Sequence, residues 1–385
     1  MSISVHWSVA CDTFILVPSP AFRYIITTMR KKPNNSKDIA KNVQPSVRAL
    51  AAYHVDETPV RIKLDAMENP FPMPEQARRA ILAAVKSSRI NLYPDPSAKE
   101  LKKEIDRLWG IHPDRMILGN GSDELIQDIV IAFGGPVLTP APSFAMYDLT
   151  PRVLSQDVVT VPLTKEFDLD ADAVIRKTKL TGAKVIFLAN PNNPTGNRFS
   201  DAAVRRVLEN VSAAVVIDEA YYSFSGRSFL PWISRHPNMI ILRTLSKIGF
   251  AGLRIGLLTA SPSVIAELNK VRLPYNINML SQAAGVAALK RRALFQKQVD
   301  LIVAERKKLY QALLATPGVT PFPSETNFLL IWIEKDATAV FKALKRCGIL
   351  VKNLDKPGPL KGCLRVTIGT PGQNREFLKN LKQIL

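Results

Sequence analysis

Cysteine is scarce in this chain of 385 residues: Cys11, Cys347 and Cys363 are odd in number and far apart, which excludes a disulfide framework or a zinc ribbon. A reducing compartment suits such a composition. The four histidines, His6, His54, His112 and His236, are isolated, so no pair stands at the i, i+4 spacing with which a helix holds a metal. Metal catalysis therefore has little to build on. No run approaches the ~20 continuous apolar residues of a membrane-spanning helix. The longest apolar stretch, between Asp12 and Arg23, holds Pro18 and Pro20 and no Lys or Arg precedes it, which makes it a poor signal peptide. A cytoplasmic setting is the expectation. Acids are also in short supply, 33 against 52 Lys and Arg, for a formal charge of +19. The basic residues are dispersed without an RNP-like or helix-turn-helix context, so nucleic acid is not the expected partner. Such a surface steers small anionic substrates instead. What is present in quantity is apolar: 46% hydrophobic and 22% charged residues describe a globular chain, and the length suggests two domains.

Residues 1–41 stand apart, with apolar residues of no period followed by the basic run Arg30-Lys-Lys-Pro-Asn-Asn-Ser-Lys37. They read as a disordered basic extension; a start at Met29 or a transit peptide would also account for them. From about Val60 short β-branched runs alternate with amphipathic stretches, the pattern of a parallel α/β sheet. Strands are predicted at Met116–Leu118, Pro136–Thr139, Lys184–Leu188, Ala214–Ile217, Met239–Arg243 and Ile255–Thr259. Helices are predicted at Pro74–Ser87, Ser97–Trp109, Ser200–Glu209 and Pro262–Lys270, with one long helix, Ser281–Lys308, bridging to a C-terminal α+β domain. That domain carries strands at Asn327–Ile333 and Cys363–Ile368 around a helix at Ala337–Cys347. The expected division is an N-terminal arm and part of a small domain (42–85), a large domain (86–295) and the remainder of the small domain (296–385).

Four segments carry chemistry. Gly119-Asn-Gly-Ser-Asp-Glu124 follows a strand and opens a helix, where backbone N–H groups make an anion site; capping by Ser122 or Asp123 explains it equally. It is no dinucleotide fingerprint, because Glu124 replaces the third glycine. Asn190-Pro-Asn-Asn-Pro-Thr-Gly196 is a rigid turn at a strand's carboxyl end, where α/β sheets bind ligands. Val215-Val-Ile-Asp-Glu-Ala-Tyr221 runs a buried strand into two carboxylates. A buried Asp needs a partner, which a cationic heterocycle nitrogen, a helix start or backbone donors can each provide. In Leu242-Arg-Thr-Leu-Ser-Lys-Ile-Gly-Phe-Ala-Gly-Leu-Arg-Ile-Gly256, Lys247 is a candidate Schiff-base amine and Arg254 a bidentate donor to phosphate. Alone, Lys247 reads more readily as an ordinary surface lysine.

In this order the four segments resemble the fold-type I aminotransferases that use pyridoxal phosphate, from about Val47 to the C-terminus. The likeness is strongest to the branch acting on histidinol phosphate. Leu64-Asp-Ala-Met-Glu-Asn-Pro70, Tyr93-Pro-Asp-Pro96, Pro142-Ser-Phe-Ala-Met-Tyr147, Pro274-Tyr275 and Leu364-Arg-Val-Thr-Ile-Gly-Thr370 support it. The resemblance implies a large domain with a mostly parallel central sheet and a smaller α+β domain from the chain ends. It implies that Lys247 holds the cofactor and moves the proton, that Asp218 pairs with the pyridinium, and that Asn193 and Tyr221 bond the phenolic oxygen. Ser122, Asp123, Ser246 and Arg254 would hold the phosphate, Phe144 would stack on the ring, and Tyr93 would reach the phosphate from the neighbouring subunit of a homodimer. Arg365, Lys352, Tyr53 and Tyr275 would bind substrate. Two positions depart from many relatives: Phe144 replaces Tyr or Trp, and Lys352 stands where an arginine is common. The loop from Lys247 to Arg254 is also a residue shorter.

The implied reaction is transfer of an amino group from L-histidinol phosphate to 2-oxoglutarate, giving imidazole acetol phosphate and L-glutamate, in histidine biosynthesis. An aromatic amino-acid aminotransferase or an amino-acid-phosphate decarboxylase would use the same Lys247 and Asp218. A non-catalytic pyridoxal-phosphate-binding regulator would need a DNA-binding domain that 1–41 does not offer.

Overall fold

The computed structural model describes residues 38–385, so the extension expected over 1–41 lies outside them except for its last residues, where a 3-10 turn, Ile39–Asn42, begins. Twelve strands follow: β1 (Ile62–Leu64), β2 (Met116–Asn120), β3 (Val137–Ala141), β4 (Val158–Pro162), β5 (Val185–Ala189), β6 (Ala214–Asp218), β7 (Met239–Thr244), β8 (Ile255–Thr259), β9 (Val319–Pro321), β10 (Phe328–Ile333), β11 (Ile349–Asn353) and β12 (Cys363–Thr367). They form a seven-stranded sheet in the order β2-β8-β7-β6-β5-β3-β4 and a five-stranded sheet in the order β1-β11-β12-β10-β9.

In the large sheet β5, β6 and β7 are buried at every residue, which is why they read as unbroken apolar runs: helices cover both faces of a parallel sheet. All its strands are parallel except β8, which runs against both β2 and β7. The reversal decides where the chemistry sits. A parallel crossover needs a dozen or more residues and a trip across the sheet, whereas an antiparallel partner is reached by a short connection. The segment 245–254 therefore returns at once, and its two ends, Lys247 and Arg254, stay at the edge where β2, β5 and β6 also end.

The long helix expected over Ser281–Lys308 is two helices, Met279–Leu289 and Arg292–Leu314. The break falls at Lys290–Arg291, on the large-sheet side of the crossing between the two cores. Ala288 and Leu289 pack with Leu101, Met116 and Leu118 beside the large sheet, as does Phe295. Farther along the second helix, Val299, Ile302, Leu309 and Leu313 pack with Phe328, Ile331 and Val366 of the small sheet. One helix thus joins the two cores. The sequence reading omits edge strand β4, strands β1, β9 and β11, and the helices Met146–Val153, Ala171–Thr181 and Pro371–Ile384.

Candidate active site

The carboxyl edge of the large sheet opens onto a cavity of about 230 Å³. Strand β2 enters it through Gly119–Gly121 and turns into the helix Ser122–Phe133. Gly121 has φ +84°, and a Cβ there would run into the Arg254 guanidinium; a Cβ on Gly256 would strike the Gly121 backbone. Only glycine permits this approach, and it brings the free N–H groups of the helix start against a fixed arginine. The capping alternative is not realised: neither Ser122 nor Asp123 is the cap, which is Gly121, and no side chain caps the helix. Arg254 Nη2 instead lies 3.2 Å from Asp123 Oδ2, both groups half exposed. Ser246 is fixed beside them: its Oγ accepts from Thr244 Oγ1 at 2.9 Å, and its N–H donates back to Thr244 Oγ1 at 3.1 Å.

Asp218 ends β6 on the same cavity. Its Oδ2 accepts from the Tyr147 hydroxyl at 2.7 Å and its Oδ1 from the Ala220 N–H at 2.9 Å. Burial pushes its pKa up to about 6, against the pull of these two donors. Across the cavity, burial, with the positive charge of Arg365 acting the same way, lowers the Lys247 amine to about 8. A free amine is thereby available near neutral pH, the requirement of a nucleophile or proton shuttle. Lys247 Nζ stands 5.9 Å from the centre of the Tyr221 ring, and burial holds the Tyr221 phenol well above its ordinary pKa. Asn193, in the rigid turn after β5, accepts through Oδ1 from Arg365 Nη1, and Arg365 Nη2 donates to the Asp65 carbonyl at 2.9 Å.

Nine of the sequence-predicted residues line this one cavity: Ser122, Asp123, Phe144, Asn193, Asp218, Tyr221, Ser246, Lys247 and Arg254. Arg365 touches it through Asn193, and Lys352 stands opposite Arg365 in the register of β11 on β12. Tyr53, Tyr93 and Tyr275 are not brought to the cavity of their own chain. Tyr53 is 60% exposed, while Tyr93 and Tyr275, 78% and 41% exposed, stack on each other with ring centres 4.5 Å apart. Sequence reasoning gave no role to Tyr147, which holds Asp218, although the residue closes a quoted segment. It also gave none to Ala66–Glu68, which form a further wall. Met67 has φ +56°, a conformation held by its N–H bond to Thr367 Oγ1 and by the Asn327 amide on its carbonyl.

A larger cavity, about 510 Å³, lies behind the lysine loop against Trp109, Phe250 and Phe295. Its charged residues, Arg292, Lys297 and Asp300, are all exposed. Asp218, Tyr221 and Lys247, whose proton affinities burial shifts, line the smaller one. Together they fit a phosphorylated, cationic aromatic ring: an anion-binding helix start, a buried carboxylate with no cation bonded to it among the described residues, and a lowered-pKa amine.

A family model for aminotransferase class I and II matches residues 59–381. Histidinol-phosphate aminotransferase 2 of Nitrosococcus oceani is 41% identical over 350 residues, covering 89% of this chain and 97% of that protein. Histidinol-phosphate aminotransferase of Thermoanaerobacter pseudethanolicus is 39% identical over 347 residues, covering 89% and 98%. Among solved structures, histidinol-phosphate aminotransferase from Sinorhizobium meliloti in complex with pyridoxal-5'-phosphate superposes with a TM-score of 0.80 at 26% identity, covering 89% of this chain and 96% of that one.

Proposed function

The chain belongs to the class I and II aminotransferases, and from that membership we propose that it transfers the amino group of L-histidinol phosphate to 2-oxoglutarate with pyridoxal phosphate as cofactor. The observation that carries this reading is the pairing of buried Lys247 and buried Asp218 on one cavity at the start of the helix Ser122–Phe133. When bound, pyridoxal phosphate supplies a protonated ring that takes up the electrons of a substrate carbanion. The protein's part is to bind, orient and move a proton. Asp218 would face the ring nitrogen and keep it protonated, and Phe144 would pack against the ring. Asn193 and Tyr221 would donate to the phenolic oxygen. Ser122, Asp123 through its N–H, Ser246 and Arg254 would hold the phosphate, where the Asp123 carboxylate would yield Arg254 to the stronger anion. Lys247 Nζ would take the proton from substrate Cα and return it to C4′ of the cofactor, two bonds away, for which an amine pKa of about 8 is suited.

Arg365 and Lys352, adjacent across β11 and β12, supply the fixed positive charge for a substrate phosphate, with Tyr53 and Tyr275 beside it. The reading makes the enzyme a cytoplasmic homodimer with shared sites. The open Tyr93–Tyr275 stack, away from its own cavity, supports that sharing. Mixed dimers of Tyr93→Ala and Lys247→Ala subunits then regain activity at one site in two; mixtures no better than their parents refute it. The substrate is tested by half-reaction: loaded enzyme is mixed separately with histidinol phosphate, phenylalanine, tyrosine and threonine phosphate. Only histidinol phosphate is expected to convert the cofactor efficiently to its amine form. Preference for phenylalanine, or release of carbon dioxide from threonine phosphate, replaces this reading with one of the alternatives.

A further inference from the structure

We propose that Tyr147 is a positioning residue for Asp218, holding the carboxylate ionised and aimed at the cofactor's ring nitrogen; this rests on the cofactor reading above. Tyr147 lies in the helix Met146–Val153, is fully buried, and stacks flat on Phe187 with ring centres 4.8 Å apart and planes within 3°. Its hydroxyl makes one hydrogen bond among the described residues, to Asp218 Oδ2 at 2.7 Å. Phe144, three residues earlier, lines the cavity and meets Tyr147 edge-on at 5.4 Å. One stretch of chain therefore places an aromatic ring on the cavity and an anchor behind the carboxylate that the cavity exposes. Ala220 N–H fixes the other oxygen at 2.9 Å, so Asp218 is held by two neutral donors and its orientation is set.

The direction of the effect follows from which groups face Asp218. Burial is the largest influence and raises its proton affinity; Asp123, from the neighbouring helix start, raises it too. The Tyr147 hydroxyl is the strongest opposing influence, ahead of the Ala220 N–H and the charge of Lys247; Tyr221 faces the same group from the end of β6. Tyr147 itself stays protonated, because burial and the Asp218 charge push its own pKa well above the ordinary phenol value. It is thus a permanent donor. A donor that stabilises the carboxylate lowers its basicity, and in a hydrogen bond shared with a ring nitrogen this keeps the proton on nitrogen. Without the hydroxyl the proton moves toward Asp218, and the ring loses electron-accepting power.

Tyr147→Phe deletes the hydroxyl and keeps the ring in its stack. In full-length protein without cofactor, infrared titration of Asp218, assigned by comparison with Asp218→Asn, is expected to shift upward by roughly one pH unit. In enzyme loaded with cofactor labelled with 15N in its ring, the nitrogen resonance of the variant is expected to move toward the unprotonated position. Turnover, kcat, should fall roughly tenfold with KM for the amino donor nearly unchanged. Replacing Tyr147 by 3-fluorotyrosine, a stronger donor, should move the Asp218 titration the opposite way, and decides the matter if the Phe variant does not fold. A titration unmoved in either replacement overturns the role of Tyr147. Protein that takes up no pyridoxal phosphate overturns the functional reading instead, and the infrared result still judges the contact.

Discussion

Two carboxylates stand side by side where β6 ends, and the fold treats them in opposite ways. Glu219 points into a closed set behind the cavity. It accepts from Ser228 Oγ at 2.9 and 2.8 Å, from the Phe229 N–H at 2.6 Å, and from Arg243 Nε and Nη2 at 3.0 and 2.8 Å. Arg243 in turn lies over the rings of Tyr222 and Trp109, 4.0 and 5.0 Å from their centres. Asp218, also buried, has among the described residues only the neutral donors Tyr147 and Ala220 on its carboxylate. A buried ion pair with all its hydrogen bonds made is complete within the fold. A buried carboxylate with neutral donors alone is balanced by what enters its cavity. Charge balance thus separates a carboxylate completed within the fold from one left open to what its cavity takes up.

The largest effect is expected at the cavity's own amine. Lys247→Ala should reduce turnover by at least roughly 10⁴-fold, since covalent attachment and proton transfer rest on one nitrogen. Borohydride treatment of wild-type enzyme should fix the cofactor to the peptide bearing Lys247, and attachment at any other lysine would refute the assignment. The two carboxylates come next, with opposite signatures. Asp218→Asn should lower kcat by roughly 10²- to 10³-fold while folding stability is kept. Glu219→Gln leaves Arg243 buried without its charge partner, so it should cost about 3–5 kcal/mol in urea unfolding and affect the kcat of the folded enzyme far less. Interchanged outcomes would break the contrast. Arg365→Ala removes a third buried charge, one bonded to both Asn193 and the Asp65 carbonyl. It should cost at least roughly tenfold in kcat/KM, mostly on phosphorylated substrates. Equal losses on phosphorylated and plain substrates would remove Arg365 from phosphate recognition.

Much of the site is legible in the sequence because it is built from strand ends. Val215-Val-Ile-Asp-Glu219 announces a buried strand running into acids, and the same logic finds β5 and β7, whose every residue is buried. What the string does not tell is which acid faces the cavity. Glu219 finds Arg243 and Ser228, 24 and 9 residues away, while Asp218 finds Tyr147 across 71. No local period encodes such pairings. Strand direction is equally silent: β8 reads the same apolar run either way, yet its reversal keeps Arg254 beside Lys247. Edge strand β4 escapes notice because it is only partly buried and ends in proline. The long helix is divided at Lys290–Arg291, before the chain leaves the large-sheet core, and its apolar spacing hides the joint.

The smallest effect is a pH dependence that sharpens the contrast at its source. Burial raises Asp218 from 3.8 to about 6, so between these values the folded protein holds a proton that the unfolded chain releases. Stability from this group is therefore present at the acid end of the window and lost as pH rises through about 6, after which the ionised carboxylate is a standing cost. Asparagine does not titrate. In protein freed of cofactor, the stability of Asp218→Asn relative to wild type should rise between about pH 4 and pH 6 and level off above. Asp128, which burial also raises to about 6, is present in both proteins and cancels in the difference. Lys247 titrates near 8 and cannot produce a change in this window. Urea unfolding across the range measures the gap. A gap that stays constant, or narrows toward pH 6, would mean that Asp218 has a charge partner within the fold after all, and its distinction from Glu219 would be lost.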